Sequence, residues 1–401
     1  MFDDYDYKSS AIFQITFRQR GEDRLHPWEI AGFFNQFNTI YYKNELLNSI
    51  SSAVLRGIDP RDIIITDGSL PLNRRYSQLD LISEFEAAKY FYPIGLPFSL
   101  CPSEKTEKTR CLYEIFYTIN SLLHSRKFRP LGIAILVEGL KRQDAIGEKG
   151  AEDYLVGCAI DFSNIFHEKY SRNYSDRTPL DNEDIEGRLS KIRVKQQARL
   201  ALVSEAESLD PRSVERILDS GKRQDRLLQK ELNAFFDIFG KIARPVVYVR
   251  GGRKQIRVLS RALVNKTVSG GLELKHASKN SPFLAVFQGI ATLWQTQVEV
   301  RNKKELHEME MLIKQQQLRE ATAKASVEEE KLRQIKISLP SEVIDDVMSS
   351  DIFDCQRLPD SHIKKRLQRA YASNGESARS IYSDQKMEVV KGSIKTVDLK
   401  A

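Results

Sequence analysis

Between Ala11 and Arg18 the chain sets Ile12, Gln14 and Thr16 against Phe13, Ile15 and Phe17, the period-two pattern of a strand, and Arg20-Gly21 ends it. The pattern then changes to three-to-four spacing. Trp28, Ala31, Phe34 and Phe37, with Ile30, Phe33 and Ile40, predict a helix with Pro27 in its first turn, and Leu46, Leu47, Ile50, Val54 and Leu55 carry it to Gly57. The β-branched run Ile63-Ile64-Ile65, bounded by Asp59-Pro60 and Asp67-Gly68, predicts a short buried strand. Helical spacing returns over 79–91 and 112–123. Two apolar runs, 131–137 and 154–162, read as strands around a surface loop holding Lys141-Arg142. The core expected for this part comprises Phe13, Ile15, Phe34, Phe37, Ile64, Phe116, Ile135 and Ile160.

Residues 167–184 are rich in Asp, Glu and Arg and poor in apolar side chains, the composition of a linker. Beyond it, 183–207 and 222–242 are helical, and Asp210-Pro211 opens a short helix between them. The order Val246-Val247-Tyr248-Val249, Gly251-Gly252, Ile256 and Val258 is a hairpin signature. A third strand is expected at 272–276. Ser281-Pro282 then offers a cap and a first-turn proline for a long helix reaching about residue 335, whose seam would be Leu306, Met309, Leu312 and Ile313.

The fold expected is therefore α+β: a mixed helix and strand domain over 1–165, a linker at 166–184, and central helices with a small antiparallel β-meander over 185–300. A long charged C-terminal helix follows at 301–336, read as a coiled coil with a solvated or intramolecularly packed helix as the alternative, then short helices at 337–371 and a flexible tail at 372–401.

Composition narrows the function classes. The 401 residues include 41% hydrophobic and 29% charged side chains, a globular composition without collagen-like or low-complexity bias. Four scattered cysteines form no disulfide framework and no Cys-x2-Cys pair, which points to a reducing, cytoplasmic setting. The acidic start Met1-Phe2-Asp3-Asp4 does not read as a signal peptide, and the longest uncharged stretch, 281–298, carries too many Gln and Thr for a membrane span. Phosphate-loop, dinucleotide, nucleophile-elbow and His-Glu-x-x-His motifs are absent from the sequence, and the six histidines are dispersed, so no cofactor and no zinc site is expected.

Charge adds a location. The net charge is +7, and 250–279 holds Arg250, Arg253, Lys254, Arg257, Arg261, Lys266, Lys275 and Lys279 against Glu273 alone. Outside that segment the acidic and basic residues balance. On a hairpin, Arg250, Arg253, Lys254, Arg257 and Arg261 could track phosphates and bind nucleic acid. The alternative is internal pairing with acids such as Asp181, Glu183, Asp184 and Glu186.

Three carboxylates are catalytic candidates: Glu138, Asp161 and Asp67. The fragment Ile133-Ala134-Ile135-Leu136-Val137-Glu138-Gly139 resembles the strand-end glutamate of Toprim nucleases and topoisomerases. That resemblance implies a magnesium-dependent nuclease in which Glu138 acts with a second carboxylate cluster, of which Asp161 supplies one member. Asp67, at a strand end before Gly68, could serve as a ligand or nucleophile and is equally a turn former. The main expectation is a non-catalytic protein that forms a homo-oligomer and joins a protein partner in a larger assembly. Nucleic-acid binding through the basic block is the alternative, and the metal-dependent nuclease comes second.

Overall fold

The computed structural model describes residues 11–19, 25–70, 82–170, 178–251, 255–259, 273–278, 284–290, 358, 361–384 and 387–396. In chain order these are strand β1 (Ala11–Gln19), helix α1 (Pro27–Leu55), β2 (Ile63–Ser69), β3 (Ile82–Ser83), α2 (Glu84–Phe91), β4 (Pro97–Ser99) and α3 (Glu104–Ser125). Helices α4 (Ile133–Ile146), α5 (Glu148–Tyr170), α6 (Asn182–Ser208), α7 (Pro211–Leu218) and α8 (Arg226–Lys241) follow. The remainder is β5 (Pro245–Gly251), β6 (Gln255–Val258), β7 (Glu273–Ser278), β8 (Leu284–Ile290), α9 (His362–Asp384) and β9 (Met387–Thr396). The class is α+β, with antiparallel sheets and abundant helix. Among the described residues no helix is long and apolar enough to cross a membrane.

The chain divides into two compact units, Met1–Arg56 with Lys266–Ala401, and Gly57–Asn265. The first is built from both ends of the chain. Its sheet runs β7-β8-β1-β9, so the N-terminal strand pairs antiparallel with β8 on one side and β9 on the other. Phe17 reaches from β1 into the edges of Phe33 and Phe37 on α1, at ring distances of 5.1 and 4.8 Å. Helix α1 starts as its sequence dictates. Pro27 occupies the first turn, and the His26 backbone N–H donates to Glu29 Oε2 at 2.6 Å, closing a capping box. Against α1 lies α9, joined through a buried polar ladder in which the Tyr371 hydroxyl donates to Asn48 Oδ1 and Asn374 Nδ2 donates to Asn44 Oδ1.

The Gly57–Asn265 unit combines a five-stranded antiparallel sheet, ordered β3-β6-β5-β2-β4, with packed helices. Leu112, Phe116, Ile119, Leu136, Leu155, Ile185 and Leu189 form one apolar core between α3, α4, α5 and α6. Ile64, Val246, Tyr248 and Ile256 of the sheet form another with Ala87 and Phe91 of α2. Burying side chains of this size contributes roughly 1.5–3 kcal/mol each, which is what holds helices and sheet together.

Several sequence expectations give way here. The runs 131–137 and 154–162 are not strands: they lie in α4 and α5. A continuous apolar run satisfies either a buried strand or a buried helix. The residues sealed in the core, Leu136, Val137 and Leu140 and then Ala151, Leu155 and Ala159, recur at helical spacing. Ile135 and Ile160 are consequently only half-buried, as is Phe34, while Phe37, Ile64 and Phe116 are core residues. The side chains of Phe13 and Ile15 fall outside the described set.

The segment expected to open a long helix at Pro282 instead carries strand β8, paired residue for residue with β1 from Arg18↔Leu284 to Ile12↔Ile290. Tertiary pairing overrides a local cap signal in this stretch. The expected tail 372–401 holds the second half of α9 and the ten-residue strand β9. Part of the expected linker is helical: residues 166–170 close α5 and 182–184 open α6, and both helices belong to one unit. The charged stretch 301–336, with Leu306, Met309, Leu312 and Ile313, lies outside the described residues.

Candidate ligand-binding cleft

The candidate catalytic carboxylates do not converge. Glu138 sits in the body of α4 with its side chain 43% exposed, paired along the helix with Arg142 at 3.4 Å and Lys141 at 4.0 Å. The strand-end position of the Toprim resemblance is thus not realised. Asp161 is exposed on α5. Asp67 pins a loop: its Oδ1 accepts from the Leu96 N–H at 2.7 Å, and its own N–H donates to the Leu96 carbonyl at 3.1 Å. Gly95 passes beneath this clamp at φ +147°, where an added Cβ would come within 2.0 Å of Asp67 Oδ1. Among the described residues no three His, Cys, Asp or Glu side chains gather as a metal site.

The basic block is also used differently from the surface patch expected. Register pairs Arg250 with Ile256 and Val249 with Arg257, so Arg250 and Arg257 occupy opposite faces of the hairpin. Both are buried. The Arg250 side chain is 6% exposed, with Nη1 3.3 Å from Asp62 Oδ1 and Nε 2.5 Å from Glu84 Oε1. The acids proposed as internal partners are engaged elsewhere: Asp184 with Arg126 at 2.6 Å and Glu186 with Arg193 at 2.6 Å. Arg253, Lys254 and Arg261 lie outside the described residues.

What the fold does assemble is a cleft of about 760 Å³ within the Gly57–Asn265 unit. Its floor is the sheet face carrying Tyr248, Arg250 and Ile256. One wall is α2, through Glu84, Phe85, Ala87 and Phe91. The other walls come from α3 (Glu104, Lys105, Lys108, Thr109, Tyr113), α4 (Leu140, Gln143, Asp144) and the end of α6 (Ser204, Glu207, Ser208), with Arg61 at the rim.

Local structure fixes each wall. Glu84 opens α2, where a carboxylate is favoured by the helix dipole, and it holds Arg250 on one side and Lys105 Nζ, at 3.3 Å, on the other. At the mouth, the Ser204 hydroxyl donates to Glu104 Oε1 at 2.5 Å and the Glu104 N–H donates to Glu207 Oε2 at 2.8 Å. Arg61 lies 3.5 Å from Glu207, and Lys108 lies 3.1 Å from Glu148 and 3.9 Å from Glu104. Gln143 Nε2 donates to the Lys108 carbonyl at 3.0 Å, bracing α4 against α3.

At the deep end Phe91 stacks on Tyr248, ring centres 4.3 Å apart, and Tyr113 meets Tyr92 edge-on at 5.2 Å. Burial pushes both the Tyr113 and Tyr248 hydroxyls well above the usual phenol value, so both stay protonated at neutral pH. Each cation lining the cleft is paired with a carboxylate, which leaves the site polar yet balanced in charge. Nothing in the sequence marked Glu84, Tyr113 or Ser204, since none stands in a motif and they meet only through tertiary packing.

Comparison with known proteins finds no matching family model, no matching curated protein and no matching solved structure.

Proposed function

We propose that this chain is a non-catalytic cytosolic protein that self-associates and serves as an interaction component of a larger assembly. The observation that supports the reading best is how its chemically suggestive side chains are employed. Glu138 forms intrahelical ion pairs, Asp67 clamps a loop, and Arg250 is locked between Asp62 and Glu84. Each does structural work, and among the described residues a preformed cleft, the usual form of a recognition site, stays open to other molecules. Self-association is assigned to Leu306, Met309, Leu312 and Ile313, whose spacing makes an apolar stripe in an otherwise charged segment. Both flanks of that segment, β8 and α9, belong to one unit. Sedimentation of the full chain tests the reading. A species heavier than the monomer is expected at micromolar concentration, and Leu312→Lys should shift it to the monomer.

A further inference from the structure

We infer that the cleft of the Gly57–Asn265 unit binds a neutral ligand carrying adjacent hydroxyl groups, that is, a sugar ring. This goes beyond the self-association proposed above and does not depend on it. Its volume of about 760 Å³ falls within the range of small-molecule sites, about 300–1,000 Å³.

The strongest pointer is Tyr113. It is 4% exposed and lines the cleft, its electrostatic surroundings are Tyr248, Tyr92, Arg250 and Glu84, and no described residue hydrogen-bonds its hydroxyl. The ring is buried, but the hydroxyl oxygen is not one of the sealed polar atoms: it opens on the cleft and is free to bond what enters there. A ligand oxygen placed beside it would receive its hydrogen bond in place of water.

Charge selects the kind of ligand. Arg250 and Lys105 are both held by Glu84, and Arg61 is held by Glu207. An anion would have to compete with those carboxylates, and a cation with those basic groups. A hydroxyl suits both at once, donating its proton to the Glu84 carboxylate while its oxygen accepts from Arg250 or Lys105. Neighbouring hydroxyls on a ring can engage a carboxylate and a guanidinium held side by side, the planar geometry for which Arg is suited. Tyr248, stacked on Phe91 with Ile256 alongside, supplies the apolar part of the floor.

Such a ring could be a free sugar or the ribose of a nucleoside, and the test separates them. Full-length protein is titrated, by ligand-observed NMR and by thermal shift, with glucose, maltose, adenosine, 2′-deoxyadenosine and inorganic phosphate at up to about 10 mM, the regime of weak binding. The expected result is binding of at least one hydroxyl-bearing probe. Glucose or maltose would identify a free sugar, and adenosine binding that is lost with 2′-deoxyadenosine would identify ribose. Tyr113→Phe should weaken that binding about tenfold while leaving the melting temperature without ligand unchanged, because the hydroxyl makes no described bond. Binding of phosphate alone, binding of no probe, or unchanged affinity in a folded Tyr113→Phe protein would each overturn the inference. None of these results bears on whether the chain self-associates.

Discussion

Arg250 Nε and Glu84 Oε1 stand 2.5 Å apart at the floor of the cleft, joining the middle of the sheet to the first residue of α2. Glu84 reaches on to Lys105, and Arg250 to Asp62, so one largely buried pair ties four segments together. Removing one member of a buried pair strands the other, which costs about 3–5 kcal/mol. Arg250→Met should therefore lower the unfolding free energy by about that amount in urea denaturation, and Glu84→Leu with Arg250→Met should recover part of it. If Arg250 instead served chiefly to hold phosphate, the single variant would keep its stability and lose salt-sensitive nucleic-acid binding.

The clamp between Asp67 and Leu96 makes a prediction that separates structure from catalysis. Gly95→Ala combines a disfavoured φ of +147° with a Cβ placed 2.0 Å from Asp67 Oδ1, and should destabilise by about 1–3 kcal/mol. Asp67→Asn keeps an oxygen that can accept from the Leu96 N–H and should be milder than Asp67→Ala, which loses it, by about 1 kcal/mol. Equilibrium unfolding of the three variants gives the order directly. Equal effects of Asp67→Asn and Asp67→Ala would argue that the charge of the carboxylate matters more than its hydrogen bond.

Glu231 on α8 gives a pH signature. Burial raises its carboxyl above the ordinary value of 4.5, with Arg110 and Arg199 opposing the rise. Above 4.5 the unfolded chain has released the proton while the folded chain still holds it, so stability falls as pH rises toward the folded value. Glu231→Gln removes this loss. The variant should be more stable than the parent at pH 7, and the difference should shrink toward pH 4 in thermal melts. A difference that stays constant between those pH values would contradict the assignment.

How much of this could be read in the sequence depended on whether the signal was local. The first-turn Pro27 of α1, the strand β1 and the β5–β6 hairpin follow from residues a few positions apart, and the structure has all three. The run Ile133–Val137 misleads because a fully apolar segment has no alternation to distinguish the two periods, and only the helices packed around it decide. Residues 284–290 mislead because their partner in β1 lies at the other end of the chain. The cleft was illegible for the same reason. The acid that holds Arg250 from one side, Asp62, is 188 positions away, so a cluster of basic residues in sequence looked like a surface when its best-placed member is interior.

Sedimentation equilibrium of the full-length protein decides whether the chain self-associates. The expected result is a mass above 46.1 kDa at micromolar concentration, returning to the monomer in Leu312→Lys with the circular dichroism spectrum otherwise preserved. A strict monomer over the same range, or a Leu312→Lys protein of unchanged mass, would contradict it.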